Sequence, residues 1–329
     1  MVATIQNNLP VNLKYSISAD FDVNSEIILH LGDALDFFKS IPSETIMLVI
    51  TSPPYNVGKA YEENLSFDDY VKFQSRIADE IVRVLHPRGS VCWQVGNYVK
   101  NQEVFPLDIQ FYPIFRERGL KLRNRIIWHV GHGMHQKRRF SGRYETILWF
   151  TKSDDYCFNL DAVRVPNKYP GKRSYRGKNK GAPSCNPRGK NPSDFWEILA
   201  RDWENEVWEI PNVNSSHVEK TVHPCQYPIE LAERCVLALT NLGDRVLDPF
   251  CGAGSSLIAG IMHNRKVVGV DKESAYIDIV RQRIDKLFNG QLKIREMGKQ
   301  IMDPNKNKKW SKIPDEWLND PNYKHAEPF

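Results

Sequence analysis

The feature that most constrains the fold is a glycine-containing turn in the last third of the chain. An apolar run, residues 245–247, leads into the turn 248–255, whose sequence is DPFCGAGS, and a helical pattern follows. A second apolar run, residues 266–270, ends in Asp271. In open α/β sheets ligands bind where parallel strands end, and glycines there let the backbone approach a ligand closely. The segment therefore predicts a parallel sheet with a ligand site at the strand ends.

The turn also narrows the class of ligand. An acidic residue at the end of the next strand, here Asp271, accepts hydrogen bonds from ribose hydroxyls. Dinucleotide-binding turns carry the pattern G-x-G-x-x-G, but Leu257 occupies the position of the third glycine in this chain. The turn also lacks the Lys-Ser/Thr pair that is typical of phosphate-binding loops. Both departures disfavour a pyrophosphate and favour a nucleoside without phosphates, of which S-adenosylmethionine is one. A tight turn without a ligand is the alternative.

Strand-like and helix-like patterns alternate on both sides of a long irregular segment. Before it, apolar runs predict strands at residues 27–31, 46–50, 91–95, 126–129 and 146–150. Apolar residues at helical spacing predict helices at residues 70–84, 229–241 and 277–287, the first of them ended by His-Pro-Arg-Gly at 86–89. Such alternation predicts a mainly parallel sheet with helices on both faces.

One of these predicted strands ends in Thr51-Ser52-Pro53-Pro54-Tyr55. Prolines cannot donate to a sheet ladder, so they mark the end of the strand and leave carbonyl oxygens unpaired. An exocyclic amino group is a poor nucleophile because its lone pair is delocalised into the ring. Acceptors for both N–H protons favour a pyramidal nitrogen, and the Ser52 hydroxyl and Pro53 carbonyl could supply them. The Tyr55 ring could stack on a base removed from a helix, although a purely structural turn is the alternative.

The irregular segment is strongly basic. Residues 162–193 hold nine Lys and Arg and no Asp or Glu, interleaved with aromatic residues. This combination suits nucleic acid, and a loop this long is usually functional or disordered. The residues that we expect to bind DNA are Lys168, Lys172, Arg173, Arg176, Lys178 and Lys180. A solvated loop without a partner is the alternative.

The order of these motifs resembles the beta arrangement of amino-methylating DNA methyltransferases. In that family the catalytic motif comes first, the target-recognition region follows, and the cofactor turn comes last. This chain has TSPPY at 51–55, the basic segment, and then DPFCGAG at 248–254. Two further family motifs are matched by Arg143-Tyr144-Glu145 and by His223-Pro224 with the following residues 228–231. The resemblance covers residues 29–287.

The resemblance implies a fold and a division of the chain. The fold would be a Rossmann-like, S-adenosylmethionine-dependent methyltransferase fold of the α/β class. It would have a mixed seven-stranded sheet with one antiparallel strand, circularly permuted in sequence, with an inserted target-recognition region. Residues 26–151 and 218–289 would form the catalytic and cofactor domain, residues 152–217 the target-recognition insert, and residues 290–329 a C-terminal appendage.

The resemblance also assigns site residues. The residues that would receive a flipped base are Ser52, Pro53, Pro54 and Tyr55. The residues that would bind S-adenosylmethionine are Asp33 at its adenine ring, Asp248, Phe250, Gly252 and Gly254 along its pocket, and Asp271 at its ribose. The methyl group would pass in line, with no covalent intermediate and no metal. Serine in the catalytic motif, where aspartate is more usual for adenine, favours N4 of cytosine, and N6 of adenine is the alternative.

The implied substrate is double-stranded DNA, and the implied role is modification beside a cognate restriction endonuclease, which rests on family analogy. The alternatives of other classes are a protein glutamine methyltransferase, an RNA methyltransferase and a DNA-binding module without catalysis. The Pro224-Cys225 pair resembles the nucleophile of cytosine carbon-five methyltransferases, but it precedes a helix rather than ending a strand. His129, His132 and His135 have no helical i, i+4 spacing and no carboxylate nearby, so a metal site is not expected there.

Composition limits the class of protein to which this chain can belong. The chain has 329 residues, of which 41% are hydrophobic and 26% charged, and a net charge of +5, as expected of a globular protein. No apolar run approaches the roughly 18 residues that span a bilayer, and we expect a cytoplasmic location. Six scattered cysteines without a C-x-x-C pair disfavour a zinc site or a disulfide framework.

Overall fold

A nine-stranded sheet runs through the residues that the computed structural model describes, which are 15–55, 65–130, 136–165, 167, 169, 171–196, 213, 217–223, 225–295 and 297. The strands in chain order are β1 (Ile17–Ser18), β2 (Ile27–Leu31), β3 (Ile46–Thr51), β4 (Leu85–Val95), β5 (Asn97–Lys100), β6 (Glu103–Pro106), β7 (Lys121–His129), β8 (Tyr144–Thr151), β9 (Phe195–Trp196), β10 (Arg245–Asp248) and β11 (Lys266–Asp271). The helices are α1 (Ala34–Phe38), α2 (Phe67–Val84), α3 (Leu107–Glu117), α4 (Ile229–Leu239), α5 (Ser255–Met262) and α6 (Ser274–Phe288).

The strand order of the main sheet is β1-β2-β11-β10-β3-β4-β8-β7-β9, and β5 and β6 form a separate hairpin. Within the described main sheet, β8 alone runs opposite to its neighbours, as expected. The sheet has nine strands rather than the expected seven because the two-residue strands β1 and β9 extend its edges. Strands of that length have no apolar periodicity, so the sequence pattern does not reveal them.

Both faces of the sheet are covered by helices, because alternate residues of a strand point to opposite faces. Val49 and Val268 pack with α1, α2 and α3, whereas Leu48 and Val267 pack with α4, α5 and α6. These four side chains are almost completely buried. The continuous apolar runs in the sequence therefore reflect parallel strands buried on both sides.

The predicted break after α2 is wrong in one respect. The helix ends at Val84, but β4 begins at once at Leu85 instead of after a loop at residues 86–89. The pairing of β3 with β4 shifts its register here, from Ile46 opposite Leu85 to Leu48 opposite Ser90. The irregularity accommodates the proline and glycine that we expected to interrupt the chain.

The topology brings the functional motifs to one edge of the sheet. The carboxyl ends of the parallel strands β2, β3, β4, β10 and β11 lie at this edge, and so does the amino end of the antiparallel β8. In the segment 152–217, β9 pairs with β7, so this segment returns to the sheet. None of the described helices is long and apolar enough to cross a membrane.

Candidate active site

A cavity of about 350 Å³ opens at this edge of the sheet. Its size is typical of a small-molecule site. The predicted site residues that line it are Asp33, Ser52, Pro53, Pro54, Tyr55, Phe250, Gly252 and Asp271. Because these residues come from the ends of β2, β3, β10 and β11, the parallel topology is what unites them.

The Ser52-Tyr55 segment follows β3 directly, and a hydrogen bond joins its first and last side chains. Ser52 Oγ and Tyr55 OH lie 3.1 Å apart in a hydrogen bond in which either can donate. Burial, followed by the charge of Glu145, raises the pKa of Tyr55 well above its ordinary range, so the phenol is neutral near pH 7. When Ser52 donates to Tyr55, the lone pairs of the serine oxygen remain available to accept other hydrogen bonds.

Asp248 does not line the cavity, contrary to our prediction, because it is fully buried beneath the turn. The groups that donate hydrogen bonds to its carboxylate are Thr51 Oγ1 at 2.6 Å, Tyr227 OH at 3.1 Å, Ser256 Oγ at 2.5 Å and the Phe250 backbone N–H at 3.1 Å. Burial raises its pKa to about 6, although these hydrogen bonds lower it. Asp248 therefore joins the end of β3 to the turn after β10 through hydrogen bonds to Thr51 and Phe250.

The turn after β10 opens its backbone to the cavity at Gly252. Gly252 has φ +47°, and a β-carbon there would lie 2.8 Å from His223 Nε2. The Asp271 carboxylate accepts hydrogen bonds from the Gly252 N–H at 2.9 Å and from the Glu273 N–H at 3.0 Å. Burial raises the pKa of Asp271, and these two hydrogen bonds lower it. Asp271 thus fixes the turn and still faces the cavity.

Gly254 is also placed differently from our prediction, because it does not line the cavity. It precedes α5 with φ +72°, and a β-carbon there would lie 2.9 Å from both methyl groups of Val280 on α6. Its role is to let α5 and α6 approach each other closely.

Asp33 has two roles in the structure. Its Oδ1 accepts hydrogen bonds from the Leu35 N–H at 2.8 Å and the Asp36 N–H at 3.3 Å, which caps the N-terminus of α1. The same side chain lines the cavity. The cap holds the carboxylate at the end of β2, where it can accept a hydrogen bond from a bound ligand.

Gln94 and Glu145 are among the polar residues of the cavity that were missing from our set of site residues. Gln94, near the end of β4, donates a hydrogen bond from Nε2 to Glu145 Oε2 at the start of β8. Burial raises the pKa of Glu145 to about 7, although the hydrogen bond from Gln94 lowers it. A signal existed in the sequence, because each is a polar residue at the strand end nearest the predicted ligand edge.

The loop before α4 completes the wall beside the turn. His223 and Cys225 line the cavity, and the His223 ring packs edge-on against Tyr276 with ring centroids 4.3 Å apart. The Cys225 N–H donates to His223 Nδ1 at 3.2 Å, and burial lowers the pKa of His223 to about 4. The imidazole is therefore neutral at pH 7 and carries its proton on Nε2, toward Gly252.

The basic segment exposes most of its predicted DNA-binding side chains. Those that are described and exposed are Lys172, Arg173, Arg176, Lys178 and Lys180, and Lys168 lies outside the described residues. Residues 172–184 turn back on themselves, with Arg173 bridged to Pro183. Asp161, just before the segment, forms ion pairs with Arg164 and Arg188. These two ion pairs connect the beginning of the segment to its end, whereas the five exposed side chains make contact mainly with solvent.

The described part of the chain contains no group of three or more His, Cys, Asp or Glu side chains that could hold a metal ion. Of the three clustered histidines, His129 lies on β7, and His132 and His135 fall outside the described residues.

Comparison with known proteins agrees with this geometry. Residues 46–282 match the N6/N4 family model, which is described as DNA methylase. The type II methyltransferase M.BglII of Bacillus subtilis is 44% identical over 255 residues, which is 77% of this chain and 68% of that protein. The DNA adenine methyltransferase YhdJ of Escherichia coli is 32% identical over 270 residues, 80% of this chain and 84% of that protein.

A solved structure shares the fold as well. The Thermus thermophilus protein TTHA0409, in complex with S-adenosyl-L-methionine, superposes with a TM-score of 0.55 at 26% identity and covers 80% of this chain and 93% of its own. The family match covers most of the chain and includes both the TSPPY motif and the cofactor turn. The chain therefore belongs to the N6/N4 DNA methylase family and is a DNA methyltransferase.

Proposed function

We propose that this protein transfers a methyl group from S-adenosylmethionine to the exocyclic amino group of a base flipped out of duplex DNA, and that N4 of cytosine is the preferred acceptor. One observation carries the proposal. Ser52, Pro53 and the turn at Gly252 line the same cavity. An amino group and a methyl donor bound there would meet in a shared space.

The residues present fit S-adenosylmethionine. Gly252 lines the cavity, and His223 packs so closely against it that a side chain there would collide with the imidazole. Asp271 and Asp33 present carboxylate oxygens to the cavity at the ends of neighbouring strands, which suits hydroxyl and amino donors of a nucleoside. When bound, the cofactor supplies an electrophilic methyl group on a sulfonium.

The chain's own groups prepare the acceptor. The Ser52 oxygen and the Pro53 carbonyl accept hydrogen bonds from the amino group, which localises its lone pair on nitrogen. Tyr55 stacks on the extruded base and offsets part of the cost of unstacking it. The neutral Tyr55 phenol hydrogen-bonds Ser52 and so helps to hold the serine oxygen in place.

The preference for cytosine rests on Ser52, since serine at this position is the form associated with N4 methylation in the family that the sequence resembles. N6 of adenine is the second candidate, and the named adenine specificity of YhdJ favours it. The similarity to type II methyltransferases such as M.BglII supports a role as the modification enzyme of a restriction-modification system, with a cognate endonuclease as its biological partner.

We assign target recognition to the insert 152–217. The exposed side chains of Lys172, Arg173 and Lys178 are suited to phosphates, and neighbouring polar groups would read base edges in the major groove. Residues 26–151 and 218–289 form the catalytic part in this proposal, and residues 290–329 are an appendage.

The test is nucleoside analysis of the product. Duplex DNA is incubated with the purified protein and S-adenosylmethionine, digested, and examined by mass spectrometry. We expect N4-methylcytosine. N6-methyladenine would keep the family and mechanism but overturn the preference for cytosine. No modified nucleoside with any duplex, while S-adenosylmethionine still binds, would contradict duplex DNA as the acceptor and would direct the search to RNA or protein glutamine.

A further inference from the structure

The side chains of Gln94 and Glu145 form a polar pair in the wall of the cavity. Gln94 is buried and donates one N–H to the Glu145 carboxylate, and both line the cavity. The other polar atom of Gln94, Oε1, is buried and has no hydrogen-bond partner among the described residues. Buried polar atoms are normally paired, so Gln94 keeps an unused hydrogen-bond acceptor beside the cavity.

The carboxyl group lies beside the ring that would receive the base. A β-carbon placed on Gly96 would lie 3.3 Å from Tyr55 Cε2 and 3.6 Å from Glu145 Oε1. The Tyr55 ring and the Glu145 carboxyl therefore both lie close to the space beside Gly96, where this residue has no side chain. The charge of Glu145 also raises the pKa of Tyr55, which is consistent with this proximity.

Methylation of an amino group requires a proton acceptor. When nitrogen bonds to the methyl carbon it becomes cationic, and one of its N–H bonds must break to restore a neutral amine. The Ser52 hydroxyl and the Pro53 carbonyl accept hydrogen bonds but are weak bases that do not hold a proton near neutral pH. A carboxylate is the stronger base in the described wall beside Tyr55, and Glu145 provides it.

We propose, on the basis of the proposed function, that Glu145 is the catalytic base of methyl transfer, held in place by Gln94. As the bond between the amino nitrogen and the methyl carbon forms and the bond between the methyl carbon and sulfur breaks, one N–H bond breaks. Its electron pair stays on nitrogen, and the proton leaves the hydrogen bond to Ser52 or Pro53 as the nitrogen becomes tetrahedral and passes to the Glu145 carboxylate. The proton then leaves to solvent after the product departs.

The surroundings of Glu145 suit this role. Burial raises its pKa to about 7, and the Gln94 hydrogen bond lowers it. Gln94 from β4 hydrogen-bonds the carboxyl, Tyr55 from the segment after β3 lies close to it, and Trp128 on β7 is the cross-strand partner of Glu145. A base with a pKa near the working pH combines a large ionised fraction with useful basicity. Because the base must be ionised, activity should rise with pH through about 7.

The experiment measures single-turnover methyl transfer to a duplex substrate as a function of pH. We expect the wild-type rate to rise through about pH 7 and then level off. Glu145→Gln should lose a factor on the order of 10²–10⁴ in rate and should lose the inflection, with unchanged affinity for S-adenosylmethionine and DNA. Glu145→Asp should retain the inflection at a reduced rate. Gln94→Leu should move the inflection to higher pH, since it removes the bond that favours the carboxylate.

Glu103→Gln, on the exposed hairpin strand β6, is the matched control and should leave the profile unchanged. If Glu145→Gln keeps the wild-type rate and inflection, or if the wild-type rate falls as pH rises through about 7, Glu145 is not the base although the proposed function stands. If the wild-type protein methylates no duplex at any pH, the proposed function fails and the role of Glu145 fails with it.

Discussion

At the scale of single residues, Ser52 is the most direct test of how the amino group is activated. Its oxygen faces the cavity and hydrogen-bonds Tyr55 OH at 3.1 Å. Ser52→Ala removes one acceptor for the amino protons and leaves the cofactor turn untouched. Losing one preorganised polar contact to a transition state typically costs a factor on the order of 10²–10³ in rate, so we expect a loss of that size in single-turnover transfer. Calorimetric titration should give unchanged binding of S-adenosylmethionine.

Ser43→Ala, at an exposed position before β3, is the control for Ser52→Ala. It should change neither the rate of methyl transfer nor the affinity for S-adenosylmethionine. An equal loss of transfer and of cofactor affinity in Ser52→Ala would mean that the serine shapes the cavity and does not activate the base. Ser52 follows β3, whereas the cofactor turn follows the neighbouring strand β10. The effect of the variant on methyl transfer can therefore be measured separately from its effect on cofactor binding.

Eight of the ten catalytic and cofactor-binding residues predicted from the sequence line the cavity, because each lies at or just after the end of a strand and carries a group with recognisable chemistry. The other two, Asp248 and Gly254, are not among the residues that line the cavity. For such residues the strand end is visible in the sequence, but the direction in which the chain turns after it is set by tertiary contacts. Gln94 and Glu145 were left out of the set although each is a polar residue at the ligand edge and Glu145 belongs to a matched family motif, because their pairing across β4 and β8 appears only in the fold.

At the scale of elements, the packing of α5 against α6 depends on Gly254. The backbone there has φ +72°, which costs an L-residue about 1–2 kcal/mol, and a β-carbon would lie 2.9 Å from Val280. Overpacking typically adds about 1–3 kcal/mol. We therefore expect Gly254→Ala to lower the free energy of unfolding by about 2–5 kcal/mol, measured by urea denaturation.

Gly290 provides the matched comparison for Gly254. It has φ +66°, but a β-carbon there would meet no atom within 4 Å. Gly290→Ala should therefore lower the free energy of unfolding by the backbone contribution alone, about 1–2 kcal/mol. If both variants lose the same free energy of unfolding, the contact with Val280 adjusts without an energetic penalty, and the strain comes from the backbone conformation alone.

The elements themselves follow from sequence periodicity where they are long. The strands β2, β3, β7, β8, β10 and β11 and the helices α2, α4 and α6 all fall where apolar patterns predict them. The start of β4 at Leu85 was not predictable, since Pro87 and Gly89 normally end a strand and are tolerated here only by a shift in pairing. Local sequence therefore predicts regular elements well but not the irregularities that a neighbouring strand can accommodate.

At the scale of the whole molecule, positive charge is distributed unevenly between the catalytic edge and the insert. The net charge is only +5, yet nine basic and no acidic residues fall within 162–193. The cavity by contrast is lined by four carboxyl residues, Asp33, Glu145, Asp271 and Glu273, and by one lysine, Lys272. A polyanion approaching the protein would be attracted to the insert and not to the cavity itself. Binding of the duplex and admission of the base are thus assigned to different parts of the surface.

This separation predicts a specific salt dependence. Neutralising one phosphate contributes about −0.9 to the slope of log affinity against log salt for duplex DNA. The double variant Lys178→Ala and Lys180→Ala should therefore reduce the magnitude of that slope by about 1–2, and it should weaken binding to all duplexes alike because phosphate contacts carry no sequence information. Fluorescence anisotropy of a labelled duplex at several salt concentrations measures the slope.

The matched control is Lys39→Ala with Lys266→Ala, which lowers the net charge by the same amount. Lys39 follows α1 and pairs with Asp36, and Lys266 lies at the amino end of β11, at the opposite edge of the sheet from the cavity. We expect this control to change the slope little, because charge acts here through local phosphate contacts that end within a Debye length of about 8–10 Å. An equal reduction in both double variants would mean that net charge alone attracts the DNA, and the assignment of the insert as the duplex-binding element would be wrong.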